Sequence, residues 1–526
     1  MSPRLPLVLT TIEALENGRL QDRRAGWIVT LGITAMALAL RLYNLGFPRT
    51  IMFDETYYAK EAYAVSQVGY ELNWEDDADL VNQQFADGNF SGMLNDPAYV
   101  VHPPLGKFLI SWGGELFNWS AFGWRFSAAI FGALVVFLTI RLARRLSRST
   151  LVGAIAGLLI TFDGLAFVMS RIALLDIFQT GFALGAVTAL VADRDWFRQR
   201  LANYLRRCGL PDLDGKFGPL LLWRPWRLLA GILFGLSCAV KWNTIYMLAV
   251  FGIVVVVWDL NARRLAGAGS RAKLSILKDA PAAFVYLVIV AIAAYLATWY
   301  RWFSTSGGYF RDWGAHNPDD PVVKRLGTAL GSLWHYHTQV YGFHTGEGMK
   351  EATHVYEGHP AGWLVMARPI GIFAENDIKP PDQGCEAVGT TCLRVVTGMG
   401  TPLLWWMAAI ALIVALWFWL GKQDWRFGVP VLGLASVWLP WFQYAERPLF
   451  FFYAIMIIPF YAISLAMVMG WLLGPASSPE RRIRAMGIGL AVALVILNFA
   501  FIYPALTGDL MTYPAWRLRM WFGTWI

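Results

Sequence analysis

Asp54 and Glu55 form a carboxylate pair shortly after the first long apolar segment of the chain, which ends near Leu45. A carboxylate next to an apolar surface can act as a general base on a hydroxyl, because partial burial raises its pKa towards neutrality. Two ordinary alternatives exist: a solvated acidic loop, or charges that favour a helix N-terminus. Position alone does not distinguish these three interpretations of the pair.

A second set of polar residues lies where an apolar segment begins. The motif is His102-Pro103-Pro104-Leu105-Gly106-Lys107. Proline suits the first turn of a helix and fixes the direction in which the chain enters it. His102 and Lys107 then flank this helix start, where they could bind a phosphate or a hydroxyl. The alternative is an interfacial helix whose Lys107 extends to the lipid headgroups.

Charged residues also occur within or at the ends of apolar segments, where they are costly and usually face a pathway, a partner or a site. They are Arg41, Arg125, Arg171, Asp176, Lys241 and Arg447. Arg125 and Arg447 are the better candidates for an anionic lipid headgroup, because the guanidinium fork matches phosphate oxygens. Arg171 and Asp176 either contact substrate or pair with each other.

Five histidines lie close together in one polar region: His335, His337, His344, His354 and His359. Such a group suggests a metal, but the spacings match no zinc pattern. We therefore predict that His335 and His337 form hydrogen bonds around a polar substrate, without a metal. Motifs for nucleotide-driven pumping or serine hydrolase chemistry are absent.

The composition requires lipid around these residues. Of 526 residues, 57% are hydrophobic and 15% charged, and the mean hydropathy is +0.45. A spanning helix needs roughly 20 apolar residues. We predict an all-α polytopic membrane protein with about eleven spans, near 27–45, 122–142, 151–169, 172–192, 229–240, 246–260, 280–300, 401–420, 427–444, 449–473 and 485–503.

The arginine-rich loops give the predicted orientation. Cytoplasmic loops of membrane proteins carry excess Lys and Arg, which also accounts for the net charge of +8 without nucleic acid as a partner. This rule places the N-terminus in the cytoplasm and the C-terminus outside. Residues 46–121, here the first outer loop, and residues 301–400, the second outer loop, then share the extracytoplasmic face of a plasma membrane.

The same pattern predicts three units and one disulfide. Residues 1–300 form an N-terminal module that includes the first outer loop, residues 301–400 an extracytoplasmic loop, and residues 401–526 a four-span module. Cys385 and Cys392 lie in the second outer loop, where an oxidising compartment would favour a local disulfide.

In this order, the motifs resemble those of protein O-mannosyltransferases, and specifically the actinobacterial branch. The resemblance covers nearly the whole chain. It rests on Phe53-Asp54-Glu55, His102 to Lys107, Ser170 to Asp176, Val240-Lys241-Trp242, Ser332 to His337, Gly384-Cys385 to Cys392, Gly400 to Trp406, Leu439-Pro440-Trp441, Arg447 to Tyr453 and Met520-Trp521.

The resemblance implies a GT-C glycosyltransferase that transfers mannose from a polyprenyl-phosphate carrier to Ser or Thr hydroxyls of exported polypeptides. It implies inversion at the anomeric carbon, no metal or other cofactor, and the secretion translocon as a partner. Asp54 would be the base and Glu55 would shape the site. Arg125 and Arg447 would bind the carrier phosphate, and His102 and Lys107 would line the site.

The chain departs from the family pattern in two places. Eukaryotic members carry a β-trefoil insertion for which the second outer loop has no room. They also tend to have Asp-Val before the His-Pro-Pro motif, where this chain has Val100-Val101, so contacts of that aspartate do not carry over.

Two other functions fit parts of the sequence. A GT-C enzyme that transfers a polyprenyl-phosphate sugar to lipid or cell-wall glycan would share Asp54 and Glu55. A transporter or flippase would predict repeat symmetry and broken helices at the midplane. Here the polar residues instead gather at one face.

Overall fold

The computed structural model describes residues 10–16 and 22–526. Its helices up to residue 300 are α1 (Thr11–Glu16), α2 (Arg23–Leu42), α3 (Glu55–Val68), α4 (Ala78–Ala86), α5 (Leu105–Leu116), α6 (Ala121–Ser147), α7 (Thr150–Thr161), α8 (Gly164–Val168), α9 (Asp176–Arg207), α10 (Pro225–Cys238), α11 (Thr244–Leu265), α12 (Ser275–Lys278), α13 (Ala280–Phe284) and α14 (Val290–Thr298). A π-helical segment, Val285–Ile289, joins α13 to α14.

The remaining helices are α15 (Tyr300–Ser304), α16 (Trp313–His316), α17 (Pro321–Leu326), α18 (Thr328–Thr345), α19 (Glu347–Lys350), α20 (Pro402–Leu420), α21 (Trp425–Trp438), α22 (Ile458–Leu473), α23 (Arg481–Ile502), α24 (Pro504–Thr507) and α25 (Tyr513–Arg517). Short 3-10 turns over Leu439–Tyr444 and Phe451–Met456 connect α21 to α22.

The helical membrane architecture is confirmed, and each predicted span overlaps one of these helices. In the described part of the chain, six helical segments are long and apolar enough to cross a membrane: Arg23–Leu42, Ala121–Ser147, Thr244–Leu265, Gly269–Thr298, Pro402–Leu420 and Arg481–Ile502. Helices α7, α10 and α22 are apolar but shorter. The protein is therefore multi-pass, while the count of eleven spans stays a prediction.

Helix α9 is longer than a membrane requires. Its 32 residues span ~48 Å, against about 30 Å of hydrocarbon. The excess lies on the arginine-rich side, where α1 packs against it: Leu15 is buried among Leu201 and Leu205, and Arg198 donates to the carbonyl of Ala14.

The two outer loops contain short strands, which the prediction of a purely helical fold did not include. In the first outer loop β1 (Leu72–Trp74) pairs antiparallel with β2 (Met93–Pro97). In the second, β3 (Ile370–Ile378) pairs with β4 (Cys392–Gly398), and β4 pairs with β5 (Met511–Thr512) near the C-terminus. The predicted disulfide between Cys385 and Cys392 is present and closes the β3–β4 connection.

The first outer loop holds two helices that position the site. Helix α3 starts directly after Asp54 and ends at Gly69, whose φ of 91° is the left-handed conformation that glycine adopts readily. Helix α5 begins after Pro104, and the amide of Leu105 donates to the carbonyl of Ala239 at the end of α10. This hydrogen bond fixes the first outer loop to the spans.

Candidate active site

Asp54 occupies the N-cap position of α3, yet its side chain makes no capping hydrogen bond. The preceding Phe53 has a φ of 49°, an unusual conformation for a bulky residue. Its ring packs edge-on against Phe450 and Phe452, which holds the turn against the C-terminal module. The Asp54 carboxyl is thus half-buried and has no hydrogen-bond or ion-pair partner among residues 10–16 and 22–526.

The electrostatic surroundings of Asp54 suit a general base. Burial raises its pKa to about 6, an effect that the charge of Lys241 opposes and the charges of Asp176 and Glu61 reinforce. A carboxylate that titrates near 6 is ionised at neutral pH and has a higher proton affinity than an exposed aspartate.

In Glu55, the residue after Asp54, both carboxylate oxygens accept hydrogen bonds. Both of its carboxylate oxygens accept hydrogen bonds from Arg125, at 2.8 Å each, and both side chains are completely buried. Glu55 also accepts from the amides of Met52 and Ala173. Its geometry supports a role in shaping the site and leaves it no free oxygen for proton transfer.

Arg125 does not fit the prediction that it binds the carrier phosphate. Besides Glu55, it donates to the carbonyls of Leu45, Pro48 and Thr50. All five N–H donors of a guanidinium are thereby used. Arg125 holds residues 45–55 in place and has no donor left for a ligand.

A cavity of about 760 Å³ opens near Asp54. Its charged end contains Asp176, Lys241 and Arg447, with His102 beside them, and its other end is apolar. The side chain of Asp54 does not line the cavity, but its carboxyl interacts with the charges of Lys241 and Asp176. The carboxylate and the charged end therefore belong to one site.

Lys241 lies in the turn between α10 and α11, and its ammonium pairs with Asp176 at 2.8 Å. Gln179 supports this turn by donating to the carbonyl of Lys241 and to the Thr244 hydroxyl. The predicted alternative of an Arg171–Asp176 pair is wrong, because the partner of Asp176 is Lys241.

Arg447 is the predicted phosphate ligand that the geometry favours. Its Nη1 donates to the carbonyl of His344 at 3.3 Å, and its buried Nε has no hydrogen-bond partner in the described chain. It forms no ion pair there. Arg447 thus lines the cavity with N–H groups that could donate hydrogen bonds to a bound anion.

In contrast, the side chains of Lys107 and Arg171 bind other groups of the protein. The buried Lys107 ammonium pairs with Glu61 at 3.1 Å and donates hydrogen bonds to Glu71 at 2.7 Å and to the carbonyl of His102 at 3.2 Å, so two carboxylates already balance its charge. Arg171 donates to the carbonyls of Arg41, Tyr43 and Asn44. Both positions argue against direct substrate binding.

Three histidines line the cavity. His102 stacks on His344 at 5.5 Å, and burial lowers the pKa of His102 well below its usual range. His337 stacks on Trp242 at 5.3 Å. Its Nδ1 carries the proton, because the partner at 2.7 Å is the carbonyl of Leu333, and its Nε2 then accepts from the Tyr295 hydroxyl.

The other histidines of the cluster lie elsewhere. His335 stacks on Trp313 with ring centres 3.9 Å apart and does not line the cavity, because residues two apart on α18 face different directions. The prediction of a substrate contact for His335 does not fit this position. In residues 10–16 and 22–526, no three His, Cys, Asp or Glu side chains are grouped to hold a metal ion.

Sequence reasoning missed several residues of the cavity. Lys241 was recognisable as a charge at the end of a span, but we assigned it no role. An aromatic set also went unassigned, because tryptophan and tyrosine at span ends are expected in any membrane protein. It comprises Trp242, Tyr246, Tyr295, Tyr341, Trp441, Tyr444 and Tyr453.

Two family models match the chain. The model for dolichyl-phosphate-mannose-protein mannosyltransferase matches residues 31–201, and the model for the C-terminal four-span region of protein O-mannosyltransferase matches residues 329–525. The polyprenol-phosphate-mannose–protein mannosyltransferase of Mycolicibacterium smegmatis (strain MKD8) is 38% identical over 518 residues, covering 96% of this chain and 94% of that protein. This chain belongs to the protein O-mannosyltransferase family.

Other relatives agree with this membership. Proteins of the same name from Mycobacterium tuberculosis and Corynebacterium glutamicum are 36% and 32% identical, covering 96% and 94% of this chain and 92% of each relative. The Pmt1–Pmt2 complex of S. cerevisiae bound to its sugar donor has the same fold, with a TM-score of 0.70 at 14% identity, covering 100% of this chain and 96% of that one. This protein O-mannosyltransferase family member is therefore a membrane glycosyltransferase with the GT-C fold.

Proposed function

We propose that this protein transfers mannose from polyprenyl-phosphate-mannose to Ser or Thr hydroxyls of exported polypeptides. Family membership and the names of its relatives support this donor and a protein acceptor. The observation that carries the mechanism is an unpaired, half-buried carboxylate, Asp54, beside a cavity with a cationic end and an apolar end.

The cavity has the charge distribution of the donor lipid. The phosphate would be held by Lys241 and Arg447, because cationic donors match its oxygens. The polyprenyl chain would extend along apolar side chains of α10, α11, α14 and the adjoining π-helical segment, which include Leu248, Val288 and Ile292. Aromatic side chains such as Trp242 and Tyr453 offer flat surfaces to the sugar or the acceptor.

The reaction is a single displacement. The acceptor Oγ attacks C1 of mannose while its proton moves to the Asp54 carboxylate. The bond between C1 and the phosphate oxygen breaks, and its electron pair leaves with the carrier as a phosphate monoester. Because attack and departure occur on opposite faces, the anomeric configuration inverts.

The proposed roles explain why one base is sufficient. The phosphate departs as an anion without protonation, so no general acid is required. Lys241 and Arg447 would stabilise the charge that develops on it. No metal or other cofactor takes part in this proposal.

The proposed location follows from the arginine-rich loops. We place the site at the extracytoplasmic face of the plasma membrane, with the N-terminus in the cytoplasm. Exported chains would reach it unfolded, supplied by the secretion translocon, since a Ser or Thr side chain in an extended segment can approach Asp54 more easily than one in a folded domain.

The proposal is tested by a transfer assay. Membranes that contain the protein receive polyprenyl-phosphate-mannose labelled in the sugar, together with a Ser/Thr-rich peptide, and the label on the peptide is measured. We expect label on the peptide as an α-mannoside, and none with membranes that lack the protein. Label on glycolipid or cell-wall glycan, and never on peptide, would favour the alternative GT-C transferase and contradict the proposal.

A further inference from the structure

A second cavity, of about 800 Å³, lies on the other side of the α10–α14 helix pair. The first cavity is lined by Gly235, Cys238, Ala291, Ile292 and Tyr295 of these helices, whereas the second is lined by Ile232, Leu236, Val290, Ala293, Ala294 and Ala297. The two cavities thus face opposite sides of one wall, and α3 and α5 of the first outer loop complete the second.

The wall between the cavities is closely packed. A Cβ added to Gly235 would come within 2.3 Å of the carbonyl oxygen of Ala291, and one added to Gly231 within 1.9 Å of that of Tyr286. Helix α10 therefore meets α14 and the π-helical segment before it backbone to backbone. A ligand in the second cavity is separate from the donor lipid that we propose for the first.

The second cavity combines an apolar lining with one available cation. Arg301 lies beyond the end of α14, where its Nη1 donates to the carbonyl of Val65 at 3.1 Å and its Nε to the Tyr300 hydroxyl at 3.0 Å. Within the described chain its Nη2 has no hydrogen bond, and no carboxylate pairs with it. Glu115, which also lines the cavity, accepts from Trp119 instead.

We propose that the second cavity binds one anionic membrane phospholipid. Arg301 would hold the phosphodiester of the headgroup, and an acyl chain would lie along Ile232, Leu236 and Ala293. A phosphodiester carries one negative charge, which one guanidinium matches. The discharged carrier is a phosphate monoester with up to two charges, and the first cavity offers it two cations.

The proposed lipid would touch the helix that carries the base. Val65 lies in the last turn of α3, and Arg301 is the cation at this helix C-terminus, where positive charge is favourable. Val65 and Ser66 both line the second cavity. A bound headgroup would therefore pack against the end of α3 opposite Asp54.

The test measures lipid binding, so its outcome does not depend on mannosyl transfer. The full-length protein is placed in phosphatidylcholine nanodiscs with a trace of phosphatidylglycerol that carries a photoreactive acyl chain. Cross-linked peptides are identified by mass spectrometry. We expect cross-links in α5 and α14, reduced about tenfold by Arg301→Gln, since a charge-assisted hydrogen bond contributes about that factor.

Further variants separate binding from folding. Arg301→Lys should keep most of the cross-linking, and Ala293→Trp, which fills the cavity, should abolish it. Ile413→Trp, at a lipid-facing position of α20 outside both cavities, should change nothing. Cross-linking that survives both Arg301→Gln and Ala293→Trp would overturn the proposal, as would displacement by polyprenyl phosphate more effective than that by unlabelled phosphatidylglycerol.

Discussion

At the residue scale, Asp54 and Glu55 are neighbours with different environments. Glu55 is buried with all its acceptors used by Arg125 and two amides, whereas Asp54 has no partner and a raised pKa. Neighbouring carboxylates in such different environments usually have separate roles. We therefore assign proton transfer to Asp54 and support of the loop to Glu55.

The pKa of Asp54 predicts the acid limb of the pH profile. Since burial raises this pKa to about 6, Asp54 is protonated below pH 6 and cannot accept a proton there. The rate of transfer per unit donor, kcat/KM, should fall about tenfold for each pH unit below that value. Initial rates between pH 4.5 and 8 in reconstituted vesicles test this, and a flat profile down to pH 5 would contradict it.

The phosphate ligands give a second prediction. Lys241→Met and Arg447→Gln should each raise the KM for the donor about 10- to 100-fold, because each removes a charge-assisted hydrogen bond to phosphate. Arg325→Gln, at an exposed outer-loop position, serves as the control and should leave the KM unchanged. Unaltered donor KM in both cavity variants would exclude Lys241 and Arg447 as phosphate ligands.

At the element scale, α3 is held at both ends by arginines from other segments. Arg125 of α6 fixes its first turn through Glu55, and Arg301 binds the carbonyl of Val65 in its last turn. Asp54 therefore lies at the start of a short helix that is bound by an arginine of α6 at one end and by an arginine after α14 at the other. Such supports limit how far a catalytic group moves from its productive position.

Breaking the Glu55–Arg125 pair should lower the stability of the folded protein, whereas replacing Asp54 should lower its activity without destabilising it. Glu55→Gln leaves the buried guanidinium without its counter-charge, which costs about 3–5 kcal/mol. We expect a lower melting temperature in detergent and less protein in the membrane. Asp54→Asn should melt like the wild type, and equal melting of all three proteins would refute the structural role of Glu55.

The sequence was sufficient to predict a multi-pass helical membrane protein but not the role of each arginine. Apolar length is a local property of the sequence, so each predicted span overlaps a helix, while the count of eleven spans stays a prediction. Arg125, Arg171 and Arg447 look alike in sequence, each being a charge near the end of a span. Only the fold brings the carbonyls of residues 41–50 to the first two and leaves the third facing the cavity.

The same limit applies to the outer loops and the histidines. Strands β1, β2 and β5 have only two to five residues, and β5 pairs with a strand far away in sequence, as with Cys392 and Thr512. His335 and His337 look equivalent, yet the direction of α18 places only His337 at the cavity. The division at residues 300 and 400 stays a prediction.

Across the whole molecule, buried polar groups occur at both ends of the bundle. Asp193 and Asp259 pair with Arg224 and Arg227 on the arginine-rich side, and the polar residues of the candidate site lie at the opposite end, between the two outer loops. The orientation of that end predicts the reactivity of the cysteines. In intact cells, a membrane-impermeant maleimide should not label the exposed Cys208 of the arginine-rich loop, whereas Cys385 and Cys392 should become labelled after an impermeant reductant. Labelling of Cys208 before lysis would invert the proposed topology.

Asp54 is tested as the general base by comparing mannosyl transfer by the wild type, Asp54→Asn and Asp76→Asn. Asp76 is an exposed acid of the same outer loop and serves as the matched control. With labelled polyprenyl-phosphate-mannose and a Ser/Thr-rich peptide, Asp54→Asn should transfer about 100- to 10,000-fold more slowly, because it lacks the general base, while Asp76→Asn should match the wild type. Transfer by Asp54→Asn at the wild-type rate would exclude Asp54 as the general base.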